Sequence, residues 1–320
     1  MNRHAHSTRR YKRFSVTQRI EHGILMISFT TLAITGLAQR YVGHWLAEET
    51  IRLLGGIERV RQMHHAAALA FAAVSIFHVA LAGYRLYVLG AEPKIFPRPD
   101  DLTHMIRDIA YNLCLIPEKP PADRYTYREK AEYWAVVWGA LLMGATGFML
   151  WNPITTTKYL PGEVIPAAKA AHGLEAVLAV LSILTWHVYH AHIKHFNKSI
   201  FTGYLTEEEM LEEHPLELER LKAGLEPRRR STEEIRRRAA VYVPIATTAC
   251  LAFILGLYVF LTSEETAITT IPRQVTVTPY APATPTPTPL PEAEAVERVV
   301  LAVDGQPTPV FLLEDSGPGK

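Results

Sequence analysis

Five long apolar runs, separated by strongly polar stretches, dominate the pattern of hydrophobic positions along the chain. None of them contains Asp, Glu, Lys or Arg, and each has the length, about 17–25 residues, that a helix needs to cross a bilayer. A soluble protein of this size would have to bury five such helices in one core, which is improbable. The pattern therefore predicts an all-α membrane protein with spans at His22–Gln39, Gln62–Tyr84, Tyr133–Thr157, Ala176–Ile193 and Ala239–Ser263.

The first four runs are expected to form one unit. We predict a four-helix transmembrane bundle over residues 20–193, with the fourth helix beginning near Ala167 and tolerating Lys169 and Glu175 close to its end. The fifth run then adds a C-terminal transmembrane helix over residues 239–263.

The distribution of Lys and Arg predicts the orientation, because cytoplasmic connections carry an excess of both. Residues 1–19 carry six, the 85–132 loop eight and the 194–238 segment ten, which makes 24 of the 33 in the chain. These three segments lie on one side if every run spans. We therefore expect a multi-pass protein of a bacterial-type cytoplasmic membrane, with its N-terminus cytoplasmic and its C-terminus external.

The polar segments predict smaller elements. In the 85–132 loop, Asp101–Leu115 has apolar residues at helical spacing and is expected to lie at the inner membrane interface. Residues 264–320 form an external tail whose Pro/Thr-rich part favours an extended spacer. Beyond the spacer, Val296–Val303 and Val310–Leu313 read as a hairpin around Asp304-Gly305, weakened by two prolines.

Composition excludes several kinds of site. The chain has two cysteines and no C-x-x-C-H, so it lacks a disulfide framework, an iron–sulfur cluster and covalently attached heme. A formal net charge of +1 gives no global attraction for nucleic acid. Arg9-Arg10 resembles a twin-arginine export signal. No small-residue cleavage site follows it, so we interpret it as topological charge.

Histidines are the unusual residues of the apolar runs, since ionisable groups at membrane depth are rare and functional. Eight of the fourteen lie there without any Asp: His22, His64, His65, His78, His172, His187, His190 and His192. Neutral imidazoles without carboxylates fit axial ligation of heme iron better than proton or cation transport.

Their spacing predicts two levels of ligands. His64 and His78 are 14 residues apart, and His172 and His187 are 15 apart, so each pair shares one helix face and spans about 21–22 Å. On two antiparallel helices, His64 and His172 would be level near the outside, and His78 and His187 near the inside. Two helices could thus hold two stacked hemes.

The inner level offers a third candidate, because His22 lies one turn inside the first run. Spacing alone favours His78 over His22 as the inner ligand opposite His187. His65, His190 and His192 are expected to be interfacial or to support the ligands. Thr35-Gly36 and Thr146-Gly147 provide small residues that let a flat group approach the backbone, or that pack helices closely.

A set of motifs distributed over the four runs resembles a known family. They are Arg13-Phe14-Ser15, Arg19-x2-His22, Thr35-Gly36-Leu37, Arg61-x2-His64, Glu129-Lys130-x-Glu132-Tyr133-Trp134, Thr146-Gly147-x3-Trp151, His172-x2-Glu175-Ala176, Trp186-His187-x-Tyr189, Thr202-Gly203 and Glu213-His214-Pro215. Together they resemble the cytochrome b subunit of formate dehydrogenase, the gamma subunit, over roughly residues 12–222.

The resemblance implies a di-heme b bundle that passes electrons between a partner and the membrane quinone pool. It implies His64 and His172 as ligands of the outer heme, and His22 with His187 as ligands of the inner one. His78 then becomes a spare or substitute ligand. The motifs of the third and fourth runs look closest to a branch associated with multiheme c-type cytochromes.

The resulting hypothesis is an electron-transfer subunit of a quinone-linked oxidoreductase, without the catalytic dehydrogenase chemistry. It would hold two noncovalent heme b groups. Its external partner would be a multiheme c-type cytochrome or an iron–sulfur/molybdenum dehydrogenase. Quinone would exchange near the inner interface, where Arg19, Tyr189, His190 and His192 are candidate contacts. Two alternatives are a stand-alone b561-like heme oxidoreductase and a heme-free membrane anchor or metal transporter.

Overall fold

The computed structural model describes residues 9–194, 196–225, 230–262, 299–303 and 306–310. Most of these described residues are helical. Five helices are long and apolar enough to cross a membrane, and they match the five predicted runs: Val16–Arg40, Ile57–Val88, Tyr127–Trp151, Val164–Lys194 and Thr232–Val259. The prediction of an all-α membrane protein is confirmed.

The first four spans form two helical hairpins. The first hairpin consists of α1 (Val16–Arg40), the short α2 (Trp45–Leu53) and α3 (Ile57–Gly83). A polar connection follows with α4 (Pro99–Asn112). The second hairpin consists of α5 (Tyr127–Trp151), the short α6 (Pro153–Tyr159) and α7 (Val164–Ser182). Helix α1 packs on α3, α5 packs on α7, and a contact between α1 and α7 joins the hairpins.

Both hairpins start with the same hydrogen-bonded cap. Ser15 accepts a hydrogen bond from the Gln18 backbone N–H, and the Gln18 side chain accepts one from Ser15 N. Thr126 and Glu129 form the same capping box at the start of α5. These caps satisfy backbone donors at the helix start and determine where the first turn of each span begins.

The second helix of each hairpin widens into a π-helix at its C-terminal end. Helix α3 continues as a π-helix over Tyr84–Val88, and α7 continues as one over Ile183–Lys194. The spacing argument assumed α-helical geometry throughout, which is wrong for the end of the fourth span. A π-helical turn contains more residues than an α-helical turn and often occurs at functional sites.

The fifth span, α11 (Thr232–Thr262), packs on the π-helical end of the second span. The Tyr242 hydroxyl donates to the Ala80 carbonyl at 2.7 Å. Arg230 donates to the carbonyls of Tyr87 and Val88. The last carbonyls of a helix lack partners within the helix, so the Arg230 guanidinium stabilises the end of the second span.

The polar segments before, between and after the spans form a small folded layer at one end of the bundle. Strand β1 (Arg10–Lys12) pairs antiparallel with β2 (Tyr204–Thr206), which follows the short α8 (Ser199–Thr202). Helices α9 (Glu207–Glu213) and α10 (Pro215–Lys222) complete this layer. Its apolar core contains Tyr11, Leu205, Met210 and Leu218.

Arg13 ties this layer to the bundle. Its side chain is 2% exposed and forms ion pairs with Glu129 at 3.0 Å and with Glu217 at 3.3 Å. Arg124, from the 85–132 loop, also pairs with Glu217. All three basic segments that the sequence assigns to one side therefore meet at this network.

Helix α4 is amphipathic in the way that the sequence predicts, although it begins and ends slightly earlier. On its polar face, Asp101 pairs with Lys130 and Asp108 pairs with Arg128. Its apolar stripe points away from the protein, as expected of a helix that lies on a membrane surface. The stripe consists of Leu102, Ile106, Ile109 and Leu113.

A separate unit contains the C-terminal hairpin, in which β3 (Val299–Val303) pairs antiparallel with β4 (Gln306–Val310). The predicted second strand at residues 310–313 starts too late. In the structure the strand begins at Gln306, immediately after Asp304-Gly305. Pro307 and Pro309 lie two residues apart, which lets both direct their missing N–H away from the partner strand. The Pro/Thr-rich spacer and residues 311–313 lie outside the described residues.

We expect Arg13→Ala to lower the free energy of unfolding by about 2 kcal/mol, because it removes a buried cation and its charge-assisted hydrogen bonds to Glu129 and Glu217, while Glu217 keeps Arg124. Chemical denaturation in detergent micelles measures the change. Arg52→Ala, which removes an exposed ion pair with Glu49, is the control and should leave stability unchanged. Equal losses in both variants would contradict a special role for the buried network.

His214 makes the stability of the polar layer depend on pH. Burial lowers the pKa of His214, whose Nδ1 lies 2.8 Å from the Asp123 carbonyl oxygen. The unfolded chain binds a proton near pH 6.5 and the folded chain resists it, so stability is present above that pH and is lost as pH falls below it.

Thermal unfolding of the wild type should therefore shift to lower temperature between pH 7.5 and pH 5.5, and His214→Gln should flatten this profile. Burial raises the pKa of the neighbouring Glu213, which contributes with the opposite sign. The difference between the two profiles therefore reports His214 together with its contact to Glu213. Parallel profiles would contradict the assignment.

Candidate functional site

Two histidines from different hairpins face each other at one level of the bundle. His64 on α3 and His172 on α7 have ring centroids 6.4 Å apart, and we call them pair A. Their rings are inclined by 65°. His64 is the eighth residue of α3 and His172 the ninth of α7, so nearly equal distances from the helix starts bring them to a similar height.

A threonine on the partner helix of each hairpin holds each ring of pair A. Thr35 Oγ1 lies 2.9 Å from His64 Nδ1, and Thr146 Oγ1 lies 2.9 Å from His172 Nδ1. Both hydroxyls donate to backbone carbonyls one turn earlier, at 2.6 Å and 2.7 Å. The threonine oxygen therefore accepts from the imidazole Nδ1–H, which leaves Nε2 as the nitrogen able to bind a metal.

The glycine after each threonine makes room for the same ring. A Cβ atom on Gly36 would lie 3.1 Å from His64 Cε1, and one on Gly147 would lie 3.2 Å from His172 Cε1. The sequence suggests that Thr-Gly leaves space for a flat ligand or for close helix packing. In the structure the space accommodates the edge of an imidazole.

A second pair of histidines lies towards the polar layer. His22 on α1 and His187 on the π-helical part of the fourth span have ring centroids 6.3 Å apart and an angle of 38° between rings, and we call them pair B. His187 Nδ1 lies 2.9 Å from Glu132 Oε2. The carboxylate accepts from this nitrogen, so Nε2 again remains available.

His78 has different partners from the other candidate ligands. Its Nδ1 lies 2.9 Å from Glu21 Oε2, and its Nε2 lies 3.2 Å from the Tyr133 hydroxyl. Both ring nitrogens are thus engaged by protein groups. The geometry places His22, and not His78, opposite His187, whereas spacing alone favours His78; which of the two is a ligand stays a prediction.

The separation within each pair suits a single metal ion held from two sides. A metal–imidazole bond is about 2 Å long and the ring centroid lies about 1 Å beyond the nitrogen, so two such rings have centroids about 6 Å apart. Among the described residues, no three His, Cys, Asp or Glu side chains converge to hold a metal ion. Two axial ligands with no further protein ligand are what heme iron requires.

The remaining candidates lie in other surroundings. His65 stacks on Trp151 with centroids 3.8 Å apart. His190 contacts the rings of Trp186 and Tyr189. Both rings thus lie against aromatic side chains, and that they are not ligands stays a prediction.

Arg19 lies with Val16, Ile20, Ile200 and Phe201 around a cavity of about 260 Å³. His192 reaches Phe201, with centroids 6.3 Å apart. The structure thus brings Arg19 and His192 towards one cavity and leaves Tyr189 and His190 in a separate aromatic group.

The acceptors of the imidazole N–H groups were missed by the sequence analysis, in which Glu21 lies just outside the first run and Thr35 counts only as a small residue. A repeated spacing contains the signal: Glu21 precedes Thr35 by 14 residues, as Glu132 precedes Thr146. Each threonine bonds a histidine near the start of the next span, His64 or His172. Each acid bonds the histidine 14 or 15 residues later in that span, His78 or His187.

A membrane-embedded helical bundle with paired histidines, of which His64, His172 and His187 have Nε2 available, defines a protein that holds a planar metal cofactor between its helices. Residues 13–203 of the chain match the prokaryotic cytochrome b561 family. The match covers well over half of the 320 residues, so the chain belongs to this family and is a heme b-binding electron-transfer protein of the membrane. A comparison with curated proteins finds no match.

We expect Gly36→Ala to reduce the heme content of the purified protein, because the added methyl group would displace His64. Gly23→Ala is the matched control on the same helix, since a Cβ atom there meets nothing within 4 Å. The heme absorbance per protein measures both. Equal heme content in the two variants would contradict the role of the glycine.

Proposed function

We propose that the chain is the membrane-embedded, di-heme b-type subunit of an electron-transfer complex that links an external redox partner to the quinone pool. The observation that carries the proposal is the presence of two histidine pairs. In each pair the ring centroids are 6.4 Å or 6.3 Å apart, the separation expected of two imidazoles that bind one iron ion. They lie at two levels of the same bundle. Heme b supplies one-electron redox chemistry when it is bound.

In this proposal, His64 and His172 would hold one heme, and His22 and His187 would hold the other. Thr35, Thr146 and Glu132 fix the ligand tautomers and ring orientations, as outer hydrogen bonds do at metal sites in general. His78, held by Glu21 and Tyr133, supports pair B without ligating. Pair A lies on the side predicted to be external, and pair B on the cytoplasmic side.

A quinone position near pair B is supported by the cavity beside Arg19. The Arg19 Nε atom is buried and has no hydrogen-bond partner among the described residues. A buried donor without a partner is costly, and a quinone carbonyl oxygen would satisfy it. The apolar lining from Val16, Ile20 and Phe201 suits the ring and its hydrocarbon tail. His192 is the nearest titratable candidate, while Tyr189 and His190 are not favoured.

The partner is expected on the external side, because pair A lies there in the predicted orientation. A multiheme c-type cytochrome or an iron–sulfur/molybdenum dehydrogenase would supply or remove the electrons. The stand-alone b561-like oxidoreductase is the second candidate, and the family membership favours it equally. It predicts full activity without a partner. The heme-free anchor is disfavoured by the same membership.

Substituting the ligands one at a time tests the proposal. The wild type should contain two heme b groups per chain by the pyridine hemochrome assay. His64→Ala and His22→Ala should each lose one, because iron loses an axial ligand. His78→Ala, whose residue lies at the level of pair B but bonds Glu21 and Tyr133, is the control and should retain both.

One heme per chain in the wild type would overturn the di-heme proposal. Loss of a heme in His78→Ala together with retention of both in His22→Ala would reverse the assignment of the pair B ligand.

A further inference from the structure

The two histidine pairs differ in the charge of the group that accepts the imidazole N–H. In pair A both acceptors are hydroxyls, Thr35 and Thr146, at 2.9 Å. In pair B the acceptor of His187 is the Glu132 carboxylate, also at 2.9 Å. The hydrogen-bond distance is the same in the two pairs, so the pairs differ in the charge of the acceptor and not in its distance from the imidazole.

The threonine hydroxyls act as neutral acceptors. Thr35 and Thr146 are 1% and 6% exposed, and each donates its own proton to a backbone carbonyl. Hydrogen bonds from an imidazole to such oxygens orient the ring and add no net charge. The Glu132 side chain is 25% exposed, so its charge is only partly screened by solvent.

Charged groups beside the ligand rings do not remove this difference. Near pair A, the Arg40 side chain packs on Gly173, next to His172, while Glu175 lies one turn away against Gly139. These two charges are opposite and act on the same ligand helix. Near pair B, the Arg19 cation lies one turn before His22 on α1, and the buried Glu21 carboxylate next to His22, which bonds His78, has the opposite charge.

Resting on the di-heme function proposed above, we infer that Glu132 is a positioning residue that sets the reduction potential at pair B below that at pair A. A carboxylate that accepts the N–H of a ligating imidazole makes the other nitrogen a stronger electron donor. Both this effect and the negative charge favour ferric over ferrous iron. The neutral threonines at pair A exert neither effect.

Spectroelectrochemical titration of the heme absorbance in the purified full-length protein tests the inference. The wild type should titrate in two steps, and His22→Ala should lack the lower one. Glu132→Gln should raise the lower potential by about 59 mV, which corresponds to a tenfold shift in the reduced-to-oxidised ratio for one electron. The higher step should not move. Thr146→Val is the matched control and should affect only the higher step.

Glu132→Asp keeps the charge and should stay close to the wild-type potential, which separates charge from side-chain size. An unchanged lower step in a Glu132→Gln protein with both hemes would overturn the inference, as would loss of the higher step in His22→Ala. If Glu132→Gln does not retain heme, the Glu132→Asp protein gives the test. A reduction potential at pair B above that at pair A in this variant would also overturn the inference. A wild type with fewer than two hemes would instead overturn the di-heme function.

Discussion

The hydrogen bond at Nδ1 of a membrane-buried histidine is the interaction on which the site depends. A neutral imidazole has one N–H, and at membrane depth that donor needs an acceptor within the protein. Thr35, Thr146 and Glu132 supply it at 2.9 Å each, from a helix other than the one that carries the histidine. The bond selects the tautomer, turns the ring and joins two helices, so ligand geometry and helix packing are satisfied by the same contact.

The two hairpins satisfy this requirement with the same arrangement of residues, and their differences are informative. His64 and His78 are separated by 14 residues, whereas His172 and His187 are separated by 15. The fourth span is π-helical from Ile183, before the second histidine. A wider turn accommodates an extra residue without breaking the helix. Both second histidines thereby reach their acids, Glu21 and Glu132, at the same 2.9 Å. The residue after the acid is His22 in the first hairpin and Tyr133 in the second. His22 therefore faces His187, whereas Tyr133 bonds His78.

The sequence predicted the parts of this arrangement that depend on composition and on distance along one helix. Charge-free runs of about 20 residues are read directly as spans, and eight histidines within them mark the site. The choice between His22 and His78 could not be made in this way. It depends on contacts of His78 with Glu21 and Tyr133, 57 and 55 residues away, which no local pattern records. The polar layer was missed for the same reason, since β1 and β2 pair across most of the bundle sequence.

A contact with the polar layer fixes the level in the bundle at which pair B lies. Arg13 lies two residues before the Ser15 cap of α1 and pairs with Glu129, the residue that completes the cap of α5. This ion pair, in which only the Arg13 side chain is buried, aligns the first turns of both helices. Glu21 and His22 follow one to two turns after the first cap, and Glu132 follows at the same distance from the second. A helix rises about 1.5 Å per residue, so alignment at the caps carries over to His22 and Glu132 nearly two turns later. A salt bridge outside the apolar spans thereby sets the level at which His22 meets His187.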